Sequence, residues 1–437
     1  MNRLDELSRR IDAREARIGV IGLGYVGLPL ALGFARVGFP VSGFDLDAEK
    51  VKALAEGRSY IEDVSASELV EAVRTGKLDA STDFAGLAAC DVINVCVPTP
   101  LTKTKDPDMS YIVRAVEDIR RRLRSGQLLI LGSTTYPGTT HELFVPLLQE
   151  TGLKLGKDFC VAFAPERIDP ANRHFALAQV PKVVGGETPL CTRLAVQVYE
   201  TVFDEVVAVS SSQSAEMVKL LENTFRAINI GLVNEVALMC NRLGLDVWEV
   251  IDAAATKPYG FMKFEPGPGL GGHCIPVDPS YLSWKMKSLN FSARFIELAT
   301  EINGHMPEHV AQTVGDLLNE DRVAVNGADV LLLGVAYKAN VSDLRESPAL
   351  DVIRLLAGKG ANVSYHDPHV PEVHLDGFSA KSIELSDEAL ASADLVVILT
   401  NHAAVDYDRV VAKAHRVYDT RNATRHVREG REKVRRL

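Results

Sequence analysis

The sequence lacks the features of a disulfide-stapled or membrane-spanning protein. Its 437 residues include six cysteines with no Cys-x-x-Cys pair, and most of the six lie in apolar runs, as expected of reduced thiols. No run of about 18 apolar residues occurs, and the charged start MNRLDELSRRIDAREAR has no apolar signal-peptide core. We therefore expect a cytoplasmic protein without a membrane partner.

An excess of positive charge is also missing. The formal net charge is −10, which argues against nucleic acid as a partner but is compatible with a local basic pocket for a phosphorylated ligand. The hydrophobic content of 46% and the length are typical of a globular protein with two or three domains.

Short apolar strands alternate with helical patterns in the first and last parts of the chain. Strands are predicted at 18–21, 41–45, 91–97, 128–131, 159–163 and 183–184, and again at 330–336, 363–366, 395–400 and 417–418. Between them, helical periodicity covers 212–243, 247–255 and 294–320. The predicted fold is α/β, with two Rossmann-like, doubly wound parallel-sheet domains (1–210 and 321–437) joined by a central helical domain (211–320).

A glycine-rich turn follows the first predicted strand. Gly22, Gly24 and Gly27 have the spacing G-x-G-x-x-G, and Asp45 ends the next strand. Such glycines allow a tight turn, close approach of a pyrophosphate and close helix packing, while the acid can bond ribose hydroxyls. The pattern predicts a dinucleotide site, and the acid favours NAD over NADP. Glycines that serve packing alone are the alternative.

Three further loops follow predicted strands. They are Val97-Pro98-Thr99-Pro100, Ser133-Thr134-Thr135-Tyr136-Pro137-Gly138 and Ala164-Pro165-Glu166-Arg167. The carboxyl edge of a parallel sheet is where ligands bind in such folds. Ordinary proline turns and surface ion pairing are the alternatives for these loops.

The segment 266–278 sets Cys274 in a loop with four glycines and three prolines. Regular structure is excluded there, and the backbone of Gly271 and Gly272 could approach a ligand closely. The pattern suits a nucleophilic thiol, whereas a space-filling cysteine in a turn stays possible as the alternative. No metal is expected, because His273 and Cys274 are adjacent and cannot easily share one tetrahedral ion.

Lys219 and Asn223 lie four residues apart in the long predicted helix and therefore share one face. In an otherwise largely apolar stretch they form a candidate charge-stabilising pair. An exposed lysine is the alternative.

These segments together resemble the UDP-glucose/GDP-mannose dehydrogenase family of nucleotide-sugar 6-dehydrogenases. The matching motifs are GLGYVGLPLA at 22–31, VCVPTP at 95–100, STTYPGTT at 133–140, PER at 165–167, AEMVKLLENTFRAINIGLVNE at 215–235, GPGLGGHCIPVDP at 267–279 and GVAYKANVSDLRESPALD at 334–351. The resemblance covers nearly the whole chain. It implies NAD-dependent, four-electron oxidation of the C6 hydroxymethyl of a UDP-hexose to the uronic acid.

The resemblance also implies roles for individual residues. Cys274 would be the nucleophile that forms a thiohemiacetal and then a thioester, and Asp278 would position or activate water. Lys219 and Asn223 would stabilise the oxyanion, and Glu166 and Thr134 would order water and hydroxyl. NAD would contact Gly22, Gly24, Tyr25, Val26, Gly27, Asp45, Pro98, Thr99, Thr134 and Arg345. The UDP-sugar would contact Glu166, Arg167, Lys219, Asn223, Gly271 and Lys338.

The sugar is the less specific part of the resemblance. The segments 59–64, 255–262 and 267–285 look most like the UDP-N-acetylglucosamine 6-dehydrogenase branch. Gly132 stands where an acid is expected in that branch, Ile168 stands where a polar residue is commoner, and 257–264 departs from the family at large. UDP-N-acetylmannosamine, UDP-glucose and GDP-mannose are the alternative substrates.

Rival functions, the oligomeric state and the basic end of the sequence are considered separately. The rival functions are a single-step hydroxyacid dehydrogenase, which would use lysine without cysteine, and a nucleotide-sugar binding protein that has lost catalysis. The central domain is expected to form a homodimer or higher homo-oligomer. The basic segment 421–437 is expected to be a solvated, frayed tail.

Overall fold

The structure is a computed structural model that describes residues 3–61, 64–102, 104, 106–167 and 175–437. Residues 62–63 of the segment 59–64, and Ile168, therefore lie outside the described residues. The chain divides into two compact units. Unit 1 comprises Met1–Glu222 with Ser280–Leu289, and unit 2 comprises Asn223–Pro279 with Asn290–Leu437.

Unit 1 is built on an eight-stranded sheet. Its strands are β1 (Ile18–Ile21), β2 (Val41–Phe44), β3 (Leu78–Ser81), β4 (Val92–Val95), β5 (Gln127–Leu131), β6 (Phe159–Phe163), β7 (Lys182–Gly186) and β8 (Val206–Val209). The order is β3-β2-β1-β4-β5-β6-β7-β8, and every neighbouring pair is parallel except β6–β7. The six strands β1, β2, β4, β5, β6 and β7 are buried along their whole length, as expected of a sheet covered on both faces.

In the described part of unit 1, seven α-helices lie wholly within the unit. They are α1 (Arg3–Asp12), α2 (Gly27–Arg36), α3 (Ala48–Ala55), α4 (Ala66–Arg74), α5 (Ser110–Arg120), α6 (Val145–Gln149) and α7 (Pro189–Tyr199). The amphipathic α1 buries Leu4, Leu7 and Ile11 in the core of the unit, so the charged start of the chain is a packed element. Two helices cross the division between the units: α8 (Ser212–Leu243) and α10 (Asp278–Ser288).

Unit 2 contains a five-stranded parallel sheet and a separate hairpin. Its strands are β9 (Asp329–Leu333), β10 (Asn362–His366), β11 (Glu372–Leu375), β12 (Phe378–Lys381), β13 (Leu395–Ile398), β14 (Val417–Asp419) and β15 (Val434–Arg436). The sheet order is β10-β9-β13-β14-β15, and β11 pairs antiparallel with β12. The helices of the unit are α9 (Val247–Ala255), α11 (Arg294–Glu320), α12 (Pro348–Gly358), α13 (Asp387–Ser392) and α14 (Tyr407–Lys413).

The predicted fold class is confirmed, with one sheet at each end of the chain and long helices between them. The three central helices have the predicted bounds. Two differences concern the first sheet: β7 runs antiparallel to β6, and β3 and β8 were not predicted.

The prediction of a frayed tail at 421–437 is wrong. The segment adds β15 to the parallel sheet beside β14, and Leu437 is buried and donates its N–H to Asp419 O at 3.1 Å. The Arg435 guanidinium donates to Asn241 Oδ1 at 2.7 Å, and Arg436 forms an ion pair with Asp246. Acceptors far away in the sequence therefore order this basic segment.

Within the described ranges, none of the helices is long and apolar enough to cross a membrane. In the same part of the chain, no three or more His, Cys, Asp or Glu side chains are grouped as a metal ion would require.

Candidate active site

The glycine turn after β1 has the geometry that a dinucleotide needs. Gly22 has φ +87°, and a Cβ there would lie 2.4 Å from Cys96 O. A Cβ at Gly27, where α2 begins, would lie 1.8 Å from Gly22 O, so side chains are excluded at both positions. Gly24, by contrast, has no atom within 4 Å of its Cβ position, so its backbone is open to a ligand.

Asp45 lies beside this turn at the end of β2. Its carboxylate accepts the N–H of Leu23 at 2.8 Å and that of Asp47 at 2.9 Å, and its side chain is 13% exposed. The Tyr60 hydroxyl donates to Leu23 O at 2.6 Å and fixes the turn from the other side. An acid held next to an open glycine backbone at a helix N-terminus fits the ribose and pyrophosphate of NAD.

The other predicted cofactor residues of unit 1 lie in neighbouring loops. Tyr25 is 40% exposed, and Val26 precedes the first residue of α2. The loop with Pro98 and Thr99 and the loop with half-buried Thr134 are joined, because the Ser133 hydroxyl donates to Val97 O at 2.7 Å. Adjacent strands β4 and β5 thus present these two loops together.

A buried acid that was not predicted fixes the second of these loops. Glu216 on α8 is fully buried and accepts the N–H of Gly138 at 2.5 Å, the N–H of Thr140 at 2.8 Å and the Thr140 hydroxyl at 2.6 Å. Burial raises the pKa of Glu216 to about 7, against the lowering effect of these hydrogen bonds. The sequence feature that could have indicated Glu216 is its position about one helical turn before Lys219.

Glu166 and Arg167 are held by several contacts within unit 1. Glu166 Oε1 accepts the N–H of Arg167 at 2.8 Å, and Oε2 lies 3.1 Å from Lys182 Nζ. The Arg167 guanidinium donates to Pro181 O at 2.7 Å and pairs with Glu222 at 2.5 Å. Lys182 was missed because a single lysine before Val-Val is usually a surface residue.

The loop with Cys274 is packed against the loop of unit 2 that contains Lys338 and Arg345. Gly272 donates its N–H to Arg345 O at 2.9 Å. A Cβ at Gly271 would lie 2.7 Å from Tyr337 Cβ, and one at Gly272 would lie 2.8 Å from the Tyr337 ring. The glycines are therefore needed for this close approach.

Cys274 is half-buried at a tight turn that leads into α10. Its carbonyl accepts the N–H of Val277 at 3.1 Å and that of Asp278 at 2.8 Å. The buried Asp278 carboxylate accepts the side-chain N–H of buried Asn223 at 2.5 Å. Unit 2 thus brings three predicted catalytic residues together: a thiol-bearing turn, an amide and a carboxylate.

Lys219 precedes Asn223 by one turn of α8, and its side chain is buried, so the alternative of an exposed lysine is excluded. The spacing of four places both residues on one face of the helix.

The loop with Lys338 is fixed by a buried histidine. The N–H of Asn340 donates to His402 Nδ1 at 3.0 Å, so the ring proton is on Nε2, which donates to Asp367 at 3.0 Å. Asp367 also accepts the N–H groups of Val335 and Ala336. Lys338 is half-buried in this loop.

Arg345, predicted on the cofactor side, is exposed. It donates to Asp343 Oδ2 at 2.6 Å.

A cavity of about 1090 Å³ opens in unit 1 beside the start of α7, and its lining includes His141, Glu187 and Ser212. None of the residues that line it is a predicted site residue.

Three domains of one family match this chain in order. The NAD binding domain of the UDP-glucose/GDP-mannose dehydrogenase family matches residues 16–203, its central domain matches 213–305, and its UDP binding domain matches 331–426. The match to the first domain includes the glycine turn and Asp45, and the match to the third includes the loop with Lys338.

Individual relatives agree with this assignment. The chain is 38% identical over 359 residues to a UDP-N-acetyl-D-glucosamine 6-dehydrogenase of Pseudomonas aeruginosa, covering 82% of this chain and 84% of the relative. It is 35% identical over 423 residues to a UDP-N-acetyl-D-mannosamine dehydrogenase of Methanococcus maripaludis, covering 94% and 93%. The solved structure of the UDP-D-ManNAc dehydrogenase of Pyrococcus horikoshii is similar with a TM-score of 0.86 and 34% identity, covering 94% and 96%. The chain therefore belongs to the UDP-glucose/GDP-mannose dehydrogenase family and is an NAD-dependent nucleotide-sugar dehydrogenase.

Proposed function

We propose that the protein oxidises C6 of UDP-N-acetylglucosamine to the uronic acid in two NAD-dependent steps. The UDP binding domain supports a UDP-sugar substrate, and the NAD binding domain supports the acceptor. The observation that carries the proposal is the cluster in unit 2 where the Cys274 turn, the Asp278 carboxylate and the Asn223 amide lie together.

The proposed chemistry assigns one role to each side chain. NAD, when bound, accepts a hydride from C6 in each of the two steps. Loss of the hydroxyl proton and the first hydride leaves C6 as an aldehyde. The Cys274 thiolate attacks this aldehyde to give a thiohemiacetal oxyanion, which loses the second hydride to become a thioester. Lys219 and Asn223 donate to the oxyanion. Asp278 orients the water that releases the acid and regenerates the thiol, with Glu166 and Thr134 ordering it.

The binding roles and domain boundaries are part of the same proposal. Gly22, Gly24, Gly27 and Asp45 would hold the dinucleotide, with contacts from Tyr25, Val26, Pro98, Thr99, Thr134 and Arg345. Lys338 would reach the substrate diphosphate, and Gly271, Arg167 and Glu166 would contact the sugar nucleotide. The functional domains would span 1–210, 211–320 and 321–437, and the location would be cytoplasmic.

UDP-N-acetylmannosamine is the second candidate substrate. It is favoured by two similar proteins that are named for this sugar, the Methanococcus relative and the Pyrococcus structure, which cover more of the chain than the Pseudomonas relative does. The segment 257–265, which would choose the sugar, presents exposed Tyr259 and Phe261, while Phe264 packs against Phe225 with ring centroids 5.8 Å apart.

The deciding experiment incubates the purified protein and NAD with UDP-N-acetylglucosamine, UDP-N-acetylmannosamine, UDP-glucose and GDP-mannose in turn. Mass spectrometry identifies the product, and absorbance counts the NADH. We expect an acid from UDP-N-acetylglucosamine with two NADH for each product. One NADH would reject the thioester route, and no acid from this sugar would reject the substrate choice.

A homodimer is the proposed assembly. Phe225, Leu232 and Met239 recur at intervals of seven along α8 and are 44%, 54% and 50% exposed, an apolar stripe that suits a second copy of the chain. Light scattering should give twice the mass calculated for one chain. The variant Leu232→Glu should shift the protein towards the monomer, and a wild-type protein that is monomeric at micromolar concentration would refute the assembly.

A further inference from the structure

Lys182 at the start of β7 is a buried lysine outside the residues assigned above. Its side chain is 3% exposed, and Nζ lies 3.1 Å from Glu166 Oε2, on a side chain that is 10% exposed. Burying an ammonium group is costly unless an opposite charge compensates it. Glu166 supplies that charge, and its other oxygen is held by the N–H of Arg167.

Aromatic rings complete the surroundings of the ammonium group. Lys182 Nζ lies 5.2 Å from the ring centroid of Tyr199 and 5.3 Å from that of Phe203, within the range of a cation–π contact. The hydroxyl of Tyr199 donates to Asn94 Oδ1 at 2.7 Å. The two rings therefore pack near the ammonium group, and Glu166 compensates its charge.

Among the residues that the structure describes, the other titratable groups near Lys182 do not compete with Glu166 for its charge. Burial raises the pKa of the Cys96 thiol to about 12 and that of Tyr199 well above its usual value, so both are neutral at pH 7. The Arg167 guanidinium is turned to Glu222 and Pro181 O. Glu166 is therefore the anionic partner of Lys182 in this cluster.

We infer that Lys182 is a positioning residue that keeps the Glu166 carboxylate ionised and in one orientation during the reaction. An ionised Glu166 accepts hydrogen bonds from water or a substrate hydroxyl and does not deliver a proton. This role of Lys182 rests on the proposed function, in which Glu166 orders the water.

The kinetic test uses the full-length protein with Lys182→Met. Without the ammonium group, buried Glu166 favours its neutral form, so the acid limb of the kcat profile should move up by about one pH unit or more. The deficit in kcat should therefore be largest at low pH and shrink as the pH rises, with little change in KM for NAD. Lys182→Arg should restore the profile. Lys77→Met, which removes an exposed lysine of the same unit, should leave it unchanged.

An unchanged profile in folded Lys182→Met would overturn the inference. If that variant does not fold, Glu166→Gln gives an answer that requires no activity. An ionised, paired carboxylate stabilises the fold above the pH at which it titrates in the unfolded chain, about 4.3, and that stability is lost as the pH falls. The stability of the wild type relative to Glu166→Gln should therefore increase as the pH rises through the acid range and then level off.

A pH-independent difference would mean that Glu166 is not held ionised, and the inference would fail. Failure of the proposed function is seen separately, because the wild type would then make no acid from any of the four nucleotide sugars.

Discussion

The side-chain amide of Asn223 donates to the carboxylate of Asp278 across 2.5 Å, and both side chains are buried. The contact joins α8 to the turn in which the Cys274 carbonyl is capped by the N–H of Asp278. A buried carboxylate requires hydrogen-bond donors, so Asn223 fixes the orientation of the Asp278 side chain at the end of this turn. The Asn223 amide therefore stabilises the fold through Asp278 and is also a proposed donor to the oxyanion.

Asn223→Ala should therefore harm both stability and turnover. Loss of a hydrogen bond to a buried charge should cost about 1.5–3 kcal/mol of unfolding free energy. Loss of an oxyanion donor should lower kcat about 10²- to 10³-fold. Denaturant unfolding and steady-state kinetics measure the two effects. Asn229→Ala, at an amide that donates to the α8 backbone at Phe225 O, is the control and should change neither the unfolding free energy nor kcat by much. Equal kcat values for Asn223→Ala and Asn229→Ala would refute the proposed role of Asn223 in the reaction.

Cys274→Ala should abolish formation of the acid while NAD binding stays near normal, because the glycine turn and Asp45 lie in unit 1. Calorimetric titration with NAD and mass spectrometry of the product test the two parts. Cys240 on α8 is buried at 5% exposure and offers a matched control. Cys240→Ala should keep the activity and lose only modest stability, and an alanine variant at 274 that still makes acid would refute the nucleophile.

Glu216 should make the stability pH-dependent. Its pKa is raised to about 7, mainly by burial, whereas the carboxyl of the unfolded chain titrates near 4.5. Unfolding then releases a proton between these values, so this contribution to stability is complete below about pH 4.5 and is lost as the pH rises through 7. The loss amounts to about 3 kcal/mol at most.

Glu216→Gln should remove that slope. Thermal unfolding of the wild type and the variant between pH 4.5 and 8 measures it. The hydrogen bond with Glu187 raises the pKa of His141, so these two groups near Glu216 also make stability depend on pH. Their contributions are common to both proteins and cancel in the difference between the two unfolding curves. Glu71→Gln, at an exposed site, is the control. Parallel curves for wild type and Glu216→Gln would show that the buried acid does not titrate in this range.

Asp45 should decide between NAD and NADP. Its carboxylate accepts from the backbone at Leu23 and Asp47 and would repel the 2′-phosphate of NADP. We expect kcat/KM to be much higher with NAD than with NADP. Asp45→Ser should reduce the ratio of these two kcat/KM values about 10- to 100-fold, because the variant loses a hydrogen bond to a charged group. Asp47→Ala removes a helix cap instead and should lower stability without altering the ratio. Equal turnover of the two cofactors by the wild type would overturn the role of Asp45.

The parts of the fold and site that the sequence predicts are those with a strong local signal. The periodicity of α8 extends through 32 residues, and the glycine turn has a fixed spacing. The missed strands lack such a signal: β3 reads Leu-Asp-Ala-Ser with one buried residue and exists because it pairs with β2. Lys182 and Glu216 were missed because their partners lie 16 and 76 or more residues away, and only the tertiary fold brings these partners to them.

The C-terminal segment shows the same limit, because its partners also lie far away in the sequence. Arg436 pairs with Asp246, which is also the N-cap of α9, and both side chains are about three-quarters buried, at 28% and 27% exposure. Arg436→Ala should therefore lower the unfolding free energy by about 1 kcal/mol, the upper end for a partly exposed pair. Arg428→Ala, at an exposed site in the same basic segment, should leave it unchanged. Deleting residues 434–437 should cost more than the point variant, because it also removes β15 and buried Leu437 and leaves β14 as an uncovered edge strand. Chemical denaturation of the four proteins ranks them, and a deletion as stable as the wild type would restore the view of a solvated tail.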